Sequence, residues 1–456
     1  MNKKRDRYKD QYKRIISAAT AVLLMLILAC VFGTVWYQYY SETIVLPFYR
    51  RGNWVLIGIY AAFSTVFFKA YGGFKIGYLK RTDMLYSQII SIACVNFITY
   101  FLISLIGRNF MRPMPILIMT LIDIAIVGFW TFLTGELYFT IYPPRQLVIL
   151  YGGGQAADLV IKMSRRIDKY MICNAIQLSL DETDSSIENI KKQLLEYEGV
   201  IICDISPSQR NDFIKFCFEN SVRTYISPKI SDIIIRSADD IRLFDTPLLL
   251  CRNYGLTVEQ RFFKRISDVL LSSAVLLIAL PIMLVTAIAV KISDGGAVFY
   301  KQKRLTEGGR VFSVYKFRSM IADAEKDGRP MLATDGDSRI TPVGRVLRKF
   351  RIDELPQLLN VLKGDMSLVG PRPERPELAA EYAKTMPEFV YRLKVKAGLT
   401  GYAQVTGVYD TSNYDKLKMD LMYIENYSVR MDLQIILMTL KTIVFPSKNN
   451  NRRADK

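Results

Sequence analysis

The sequence contains no histidine, and this absence excludes several kinds of active site. A histidine general base, a Ser-His dyad and a histidine-ligated zinc ion all require an imidazole. The six cysteines show no CxxC spacing, which argues against a disulfide framework and favours a reducing compartment for the soluble parts. Any chemistry that the chain performs must therefore come from other side chains.

Acidic residues are also in short supply, with 43 Asp and Glu against 61 Lys and Arg and a formal net charge of +18. Nucleic acid and an anionic membrane surface both attract such a charge. Because long apolar stretches lie close to the basic ones, we expect a contact with anionic inner-leaflet lipid and no nucleic-acid partner.

The length of 456 residues predicts more than one domain, since a single core rarely grows beyond about 250–300 residues. Half of the residues are hydrophobic, yet 23% are charged. This mixture is typical of a membrane-anchored region joined to soluble domains.

Four apolar stretches occupy most of residues 1–142, at about 15–35, 54–68, 88–106 and 114–134. All but the short second one approach or exceed the ~20 residues that span a bilayer. Lys and Arg are richest before the first stretch and between the second and third, which places the N-terminus inside. Four spans then return the chain to the cytoplasm near Tyr142. We therefore predict a four-helix transmembrane region with both ends in the cytoplasm.

Strand and helix patterns alternate in residues 143–255. Strands are predicted at 147–151, 172–180 and 199–205, and helices at 155–167, 186–197 and 207–220. This alternation indicates a parallel sheet in a Rossmann-like α/β domain.

A glycine-rich turn in this domain, Gly152-x-Gly154-x-x-Ala157, is a weak form of the dinucleotide-binding fingerprint. Asp181 is the candidate ribose-binding acid. A regulatory or structural domain is equally compatible with such a turn, so the ligand and role of the domain stay open.

An apolar run at residues 269–290 contains Pro281 near its middle. A proline inside a helix removes a backbone hydrogen bond and bends or breaks the helix. A fifth span would carry the strongly basic residues after Lys291 outside, against the charge rule. We therefore predict a re-entrant membrane helix at 266–291, with both ends on the cytoplasmic face.

The C-terminal region, 256–446, contains two adjacent acids, Asp353 and Glu354, shortly before Pro356. Because proline is tolerated only in the first turn of a helix, we predict both acids at a helix N-terminus. They can be simple capping residues. Without histidine, however, a carboxylate is a suitable nucleophile for phosphorus, and a second can position Mg²⁺ or accept a proton.

Several cations in this region suit phosphate binding. Lys316 and Arg318 alternate along a predicted strand, and Arg345, Arg348 and Arg351 recur at helical spacing. Arg372 stands between two prolines, which would hold its guanidinium for bidentate phosphate contact.

Residues 262–446 resemble the bacterial sugar transferase family, the polyprenyl-phosphate hexose-1-phosphate transferases of exopolysaccharide and capsule assembly. The matching motifs are FFKRISDVLL, YKQKR, VYKFRSM, TPVGRVLRKFRIDELPQLLNVLKGDMSLVGPRP and KAGLTGYAQVTG. The N-terminal spans and α/β domain are similar to those of its large members, and the resemblance implies a bacterial cytoplasmic (inner) membrane. The sequence departs from the family pattern at Leu280, where many members have Ser, and at Ala397, where many have Pro.

The resemblance implies transfer of glucose-1-phosphate or galactose-1-phosphate from a UDP-sugar donor to an undecaprenyl phosphate acceptor, with release of UMP. It implies that Asp353 is the nucleophile, that Glu354 handles a proton or polarises the acceptor phosphate, and that Mg²⁺ is the cofactor near Asp353. The other residues carried over are the basic strand Lys316 and Arg318, the loop of Arg372 and the helix-breaking Pro281.

The fold expected is thus a transmembrane four-helix region, a Rossmann-like α/β domain and a C-terminal α+β catalytic domain on the cytoplasmic face, followed by a disordered tail at 447–456. Two other functions remain to be weighed. A nucleotide-sugar dehydratase would need a Tyr-x-x-x-Lys pair, and Tyr414–Lys418 has that spacing without the required glycine-rich turn. A non-catalytic scaffold would use the acids only as helix caps. The oligomeric state, a homo-oligomer included, is left open.

Overall fold

The computed structural model describes residues 2–44, 47–48, 50–179, 184–251, 254–321, 337–407 and 411–445. Asp181 and the predicted tail at 447–456 lie outside these ranges. Contacts divide the chain into two compact units, Met1–Ser227 and Pro228–Lys456. The second unit thus begins before the predicted catalytic boundary at 256.

The described residues include five helices long and apolar enough to cross a membrane. They are Tyr12–Tyr40, Arg51–Tyr71, Arg81–Ile106, Met114–Ile141 and Val258–Ser293. Each of the four predicted N-terminal stretches lies in one of the first four, including the short second one. The chain is therefore a membrane protein, and the fifth helix coincides with the predicted re-entrant segment.

The first unit opens with α1 (Asn2–Val35), which continues as a π-helical turn (Trp36–Tyr40) and is followed by α2 (Arg50–Tyr71), α3 (Arg81–Ile106) and α4 (Met114–Ile141). Lys13, near the start of the first span, lies over the rings of Tyr78, Tyr138 and Tyr142. The start of α1, the loop between α2 and α3 and the end of α4 therefore meet at one end of the bundle. Four consecutive crossings require this arrangement.

An α/β domain completes the first unit. Its elements are β1 (Arg145–Tyr151), α5 (Gln155–Ser164), β2 (Tyr170–Gln177), α6 (Asp184–Leu194), β3 (Gly199–Cys203), α7 (Pro207–Glu219) and β4 (Arg223–Ile226). The strands form a parallel sheet in the order β2-β1-β3-β4. The predicted alternation and the parallel sheet are confirmed, and β4 is an addition. Buried aliphatic side chains of β1 and β3 form the core on both faces of the sheet.

The glycine-rich turn of this domain lies between β1 and α5, at the carboxyl edge of the sheet. Asp204 follows β3 in a left-handed conformation with φ of 52°. Its carboxylate approaches Gly153 so closely that a Cβ there would lie 2.0 Å from Oδ2. Because this negative charge lies where a pyrophosphate would have to bind, the geometry disfavours dinucleotide binding at the turn.

The second unit is α+β. It begins with α8 (Ile230–Arg236) and a hairpin of β5 (Asp239–Leu243) and β6 (Thr246–Leu250), followed by α9 (Val258–Asp294) and a second hairpin of β7 (Phe299–Leu305) and β8 (Val311–Phe317). Then come α10 (Pro342–Lys349), α11 (Gln357–Lys363), β9 (Ser367–Val369), α12 (Pro376–Thr385), β10 (Gly398–Thr400), α13 (Tyr402–Thr406), α14 (Asn413–Glu425) and α15 (Val429–Val444). Apolar side chains of α8, α11, α14 and α15 share one core.

The long helix α9 is continuous through Pro281, so the proline does not end it, and the bend that it imposes stays a prediction. A helix of 37 residues is about 55 Å long. Its buried side chains lie on both sides of the proline, at Lys264, Asp268, Ser272, Ala279, Thr286 and Val290. Between them Leu277 and Ile278 are 74% and 75% exposed. The helix thus packs one face on the second unit and presents an apolar outer face.

Candidate active site

The two candidate acids lie in a short 3-10 turn, Ile352–Glu354, between α10 and α11. Arg351 precedes the turn with φ of 54°, a left-handed conformation that reverses the chain after α10. Pro356 is the N-cap of α11 rather than a residue of its first turn. The prediction that both acids start a helix is therefore wrong in detail, because the reversal at Arg351 gives them a turn of their own.

Glu354 is held by two cations from different elements. Lys316 Nζ, on β8, lies 3.3 Å from its Oε1, and Arg372 Nη2 lies 3.5 Å from the same oxygen. Burial alone would raise the pKa of Glu354, but the charges of Lys316 and Arg372 outweigh it and lower the pKa to about 2. Glu354 is therefore ionised at any physiological pH and ties the two cations to one point.

Asp353 occupies a different environment from its neighbour. Its side chain is buried. Burial first, and then the charge of Glu354, raise the pKa of Asp353 to about 6, although Lys316 and Arg348 act in the opposite direction. Two adjacent carboxylates with pKa values this far apart have different chemical roles. Asp353 is the more basic and the better electron-pair donor.

Of the cations predicted to share a phosphate site, Lys316 and Arg372 contact Glu354 directly. Arg348 Nε donates to Ser319 Oγ at 2.8 Å, and its charge acts on Asp353. The guanidinium of Arg318 lies against Gly296, after α9. Arg345 and Arg348 lie on α10, whereas Arg351 has left the helix, so the predicted single helical face does not include it.

Gly344 explains how α10 reaches this site. A Cβ at this position would lie 2.0 Å from the backbone oxygen of Ser319, so only glycine permits the contact. Thr341 caps the helix by accepting a hydrogen bond from the Gly344 backbone amide at 2.9 Å. The close approach places Arg348 beside Ser319, just beyond β8.

The loop of Arg372 is fixed through its backbone. Arg304 Nη1 donates to the carbonyl oxygen of Pro373 at 3.1 Å, and Arg392 Nη2 donates to that of Arg372 itself at 3.0 Å. The Arg372 side chain nevertheless remains 49% exposed. A fixed backbone and an accessible guanidinium are what phosphate binding from solvent requires.

An apolar groove of about 510 Å³ adjoins the acids. It is lined on one side by α9 residues after the proline, Pro281 to Ala289, and on the other by α10 and Ile352. Ile352 directly precedes Asp353. The groove therefore runs between α9 and α10 and reaches the residue before Asp353.

Sequence reasoning missed the side chains that hold this site together. Asp268 Oδ1 accepts hydrogen bonds from Ser367 Oγ and the Leu368 backbone amide, both at 3.0 Å. Arg265 donates to the carbonyl oxygens of Val361 and Leu362 at the end of α11. In sequence, both residues lie in FFKRISD, ahead of an apolar run. That position indicates charges that flank a membrane segment and does not indicate contacts with the site.

The donor chemistry suits Mg²⁺ with help from a substrate. Among the described residues there is no group of three or more Asp, Glu, His or Cys side chains able to hold a metal. Mg²⁺ commonly binds through one or two carboxylates together with substrate phosphates. Since Glu354 is paired with Lys316 and Arg372, Asp353 is the neighbouring carboxylate that could hold such an ion.

Comparison with known proteins places residues 259–446 in the family model described as bacterial sugar transferase. The chain is 43% identical over 186 residues to the UDP-N-acetylgalactosamine-undecaprenyl-phosphate N-acetylgalactosaminephosphotransferase of Aeromonas hydrophila, covering 40% of this chain and 44% of that protein. It is 40% identical over 205 residues to the UDP-glucose:undecaprenyl-phosphate glucose-1-phosphate transferase of Klebsiella pneumoniae, covering 44% and 42%.

The exopolysaccharide production protein ExoY of Rhizobium meliloti is matched over most of its length, with 38% identity over 194 residues, 40% of this chain and 84% of that protein. The chain thus spans less than half the length of the first two relatives but nearly all of a shorter one. The part that the family model matches, residues 259–446, contains Asp353 and Glu354.

Proposed function

Because the chain belongs to the bacterial sugar transferase family, we propose that it transfers a hexose-1-phosphate from a UDP-sugar to undecaprenyl phosphate, giving undecaprenyl-diphosphate-sugar and UMP. This would be the first membrane step of exopolysaccharide or capsule biosynthesis. The observation that carries the proposal is the carboxylate pair Asp353 and Glu354, set among Lys316, Arg348 and Arg372, with an apolar groove at the preceding residue Ile352.

The reaction proceeds in two displacements at phosphorus. In the first, the Asp353 carboxylate attacks the sugar-bearing phosphorus, and the bond to the UMP oxygen breaks, giving an aspartyl-phosphosugar and free UMP. In the second, a phosphate oxygen of the acceptor attacks the same phosphorus and releases the Asp353 carboxylate. One phosphoanhydride replaces another, so the protein supplies position and charge stabilisation rather than driving force.

The cations stabilise charge that moves onto the leaving UMP. Arg372 approaches from a fixed loop, and Lys316 from a strand, so both are placed before the substrate arrives. Mg²⁺, when bound, neutralises part of the pyrophosphate charge, and Asp353 is the residue that would hold it. With a pKa of about 2, Glu354 orients these cations and polarises the acceptor phosphate rather than carrying a proton.

The acceptor reaches the acids along the apolar groove. An undecaprenyl chain stays in the bilayer, and only its phosphate meets the water-soluble donor at the surface. The groove runs from the part of α9 after Pro281 to Ile352, next to Asp353. The first isoprenoid units would lie in it with the phosphate at the carboxylate pair.

We place α9 in one leaflet with both ends on the cytoplasmic side. Support comes from its contacts at either end with the same unit. Arg265 donates to the end of α11, and Val290 packs with Phe317 and Leu347. A crossing of the ~30 Å hydrocarbon core would separate these ends. Anionic inner-leaflet lipid would meet the basic cytoplasmic surface.

The test is release of UMP by the purified full-length protein with undecaprenyl phosphate, Mg²⁺ and a panel of UDP-sugars. We expect UDP-glucose or UDP-galactose to be used. UDP-N-acetylgalactosamine belongs in the panel because the name of the Aeromonas relative contains it. Asp353→Asn should reduce UMP release by roughly a thousandfold or more while expression and membrane association are retained. Turnover by that variant would show that Asp353 is not the nucleophile. Absence of UMP release by the wild type with every donor would contradict the proposed function.

A further inference from the structure

A pocket in the first unit has no part in the proposed reaction. Its volume is about 300 Å³, at the small end of ligand pockets, which range over roughly 300–1,000 Å³. It lies where the end of the helical bundle that carries Lys13, Tyr78 and Tyr142 meets the α/β domain. All of its walls belong to this one unit.

The floor of the pocket is the amino edge of the parallel sheet. Arg145 is the first residue of β1, Tyr170 the first of β2 and Arg223 the first of β4. Because all four strands are parallel, these first residues lie along one edge. That edge is opposite the carboxyl edge with its glycine-rich turn, so the pocket is a separate feature from the dinucleotide fingerprint.

The charge of the pocket walls is strongly positive. Lys13, Arg145, Lys169 and Arg223 are among its described lining residues, and the carboxylate described beside them is that of Asp168. Arg166 already binds this carboxylate through two hydrogen bonds of 3.0 Å. Burial, and after it the charge of Arg166, lowers the pKa of Lys169. An anion bound beside Lys169 would raise this pKa again.

The lysine and tyrosine side chains of the pocket walls are typical of the interface between a membrane and water. The ammonium group of Lys169 lies 4.5 Å from the ring centroid of Tyr78 and 5.0 Å from that of Tyr170. Tyrosine with lysine or arginine at the end of a helical bundle is typical of the level of lipid head groups. Basic pockets between membrane helices on this side bind anionic head groups.

A second basic pocket adjoins the first and shares Phe139 and Asp168 with it. Lys80, Arg81 and Arg165 are among its lining residues. The positive surface therefore continues outward from the first pocket along the same end of the bundle.

We propose that the pocket lined by Lys13, Arg145, Lys169 and Arg223 binds a phosphate-bearing ligand, the head group of an anionic membrane lipid or a free phosphate. Such a ligand would bridge the helical bundle and the sheet edge, since Lys13 belongs to α1 while Arg145 and Arg223 belong to the α/β domain. The site would make the placement of this domain depend on phosphate.

The experiment measures binding of phosphatidylglycerol to the delipidated full-length protein by native mass spectrometry and thermal shift. Phosphatidylcholine is the uncharged comparison, and inorganic phosphate is a separate arm. We expect phosphatidylglycerol to bind and Lys13→Gln/Lys169→Gln to weaken binding by about tenfold or more. Lys69→Gln/Lys75→Gln removes the same charge from exposed positions, at the end of α2 and in the loop after it. This control variant should bind as the wild type does.

Competition by inorganic phosphate at millimolar concentration would assign the site to a free phosphate, and its failure to compete would assign it to the lipid. The proposal is overturned if neither phosphatidylglycerol nor inorganic phosphate binds better than phosphatidylcholine does, or if both double variants lose binding equally. Lys13→Arg/Lys169→Arg should restore binding, which separates loss of charge from misfolding. A photoreactive phosphatidylglycerol on the wild type should label peptides containing Lys13 or Tyr142, independently of any variant.

Discussion

The second unit contains two lysine–carboxylate pairs that differ in what surrounds them. Lys264 Nζ lies 2.7 Å from Asp432, with both side chains under a tenth exposed, and Tyr423 bonds both partners. Lys316 lies 3.3 Å from Glu354, is about a fifth exposed and shares that oxygen with Arg372. The first pair is closed and fully partnered, whereas the second is longer, shared and accessible. The same ingredients are therefore closed off in one place and left accessible to a ligand in the other.

The largest expected effect on stability comes from breaking the closed pair. Lys264→Met leaves the Asp432 carboxylate buried without its cation, which costs about 3–5 kcal/mol. For a unit of this size we expect the thermal midpoint to fall by roughly 10 °C. Lys384→Met, at an exposed position of α12, is the control and should leave the midpoint unchanged. A midpoint for Lys264→Met equal to that of the control would show that the buried pair does not stabilise the unit.

Breaking the Lys316–Glu354 pair should lower activity strongly and stability only slightly. Lys316→Met removes a cation that stabilises the transferred phosphate in the proposed reaction, and we expect kcat/KM for UMP release to fall by about a hundredfold to a thousandfold. Glu354 keeps Arg372 as a partner, so stability should change by only about 1 kcal/mol. Steady-state kinetics and a thermal melt of the same preparation measure both. A stability loss as large as that of Lys264→Met would make Lys316 structural too.

The contrast also shows which parts could be predicted from sequence. The α/β domain followed from alternation of buried strands and helices, and its parallel sheet was found, because local periodicity determines such elements. Because the chain has no histidine, Asp353, Glu354 and Lys316 were predicted as candidate residues of the active site. The 3-10 turn was not, since the left-handed conformation of Arg351 depends on how α10 packs beside Ser319.

Lys264 and Arg265 show why the rest could not be predicted. In sequence they precede an apolar run, a position typical of charges that flank a membrane segment. In the structure Lys264 is 5% exposed and paired with Asp432, more than 160 residues further on. Only the tertiary fold brings these partners together. The topology of α9 therefore rests on its contacts at both ends more than on these two charges.

The pH dependence of the reaction should distinguish the two carboxylates. Asp353 has a pKa of about 6 and acts as the ionised form, so kcat/KM should fall about tenfold per pH unit below pH 6. Glu354, with a pKa of about 2, stays ionised throughout this range. Glu354→Gln removes the negative neighbour that helps to raise the pKa of Asp353, so the acidic limb should move to lower pH. An acidic limb at the same pH in Glu354→Gln would mean that another group is being titrated.

The smallest expected effect is a gain of stability in Asp353→Asn, the substitution that removes the proposed nucleophile. The folded-state pKa of Asp353 is about 6, above the 3.8 of an unperturbed Asp, so its ionised form opposes folding. That opposition is absent below about pH 4, where the carboxyl is protonated in both states, and is complete above pH 6. Asp353→Asn removes the charge, so the variant should be about 1–2 kcal/mol more stable than the wild type at pH 8 and equally stable at pH 4. Lys264→Met offers no such gain at either pH, since its partner Asp432 is left buried without its cation. Thermal melts of both variants at the two pH values measure this difference, and an Asp353→Asn variant less stable than the wild type at pH 8 would mean that the carboxylate is satisfied by its surroundings rather than poised to react.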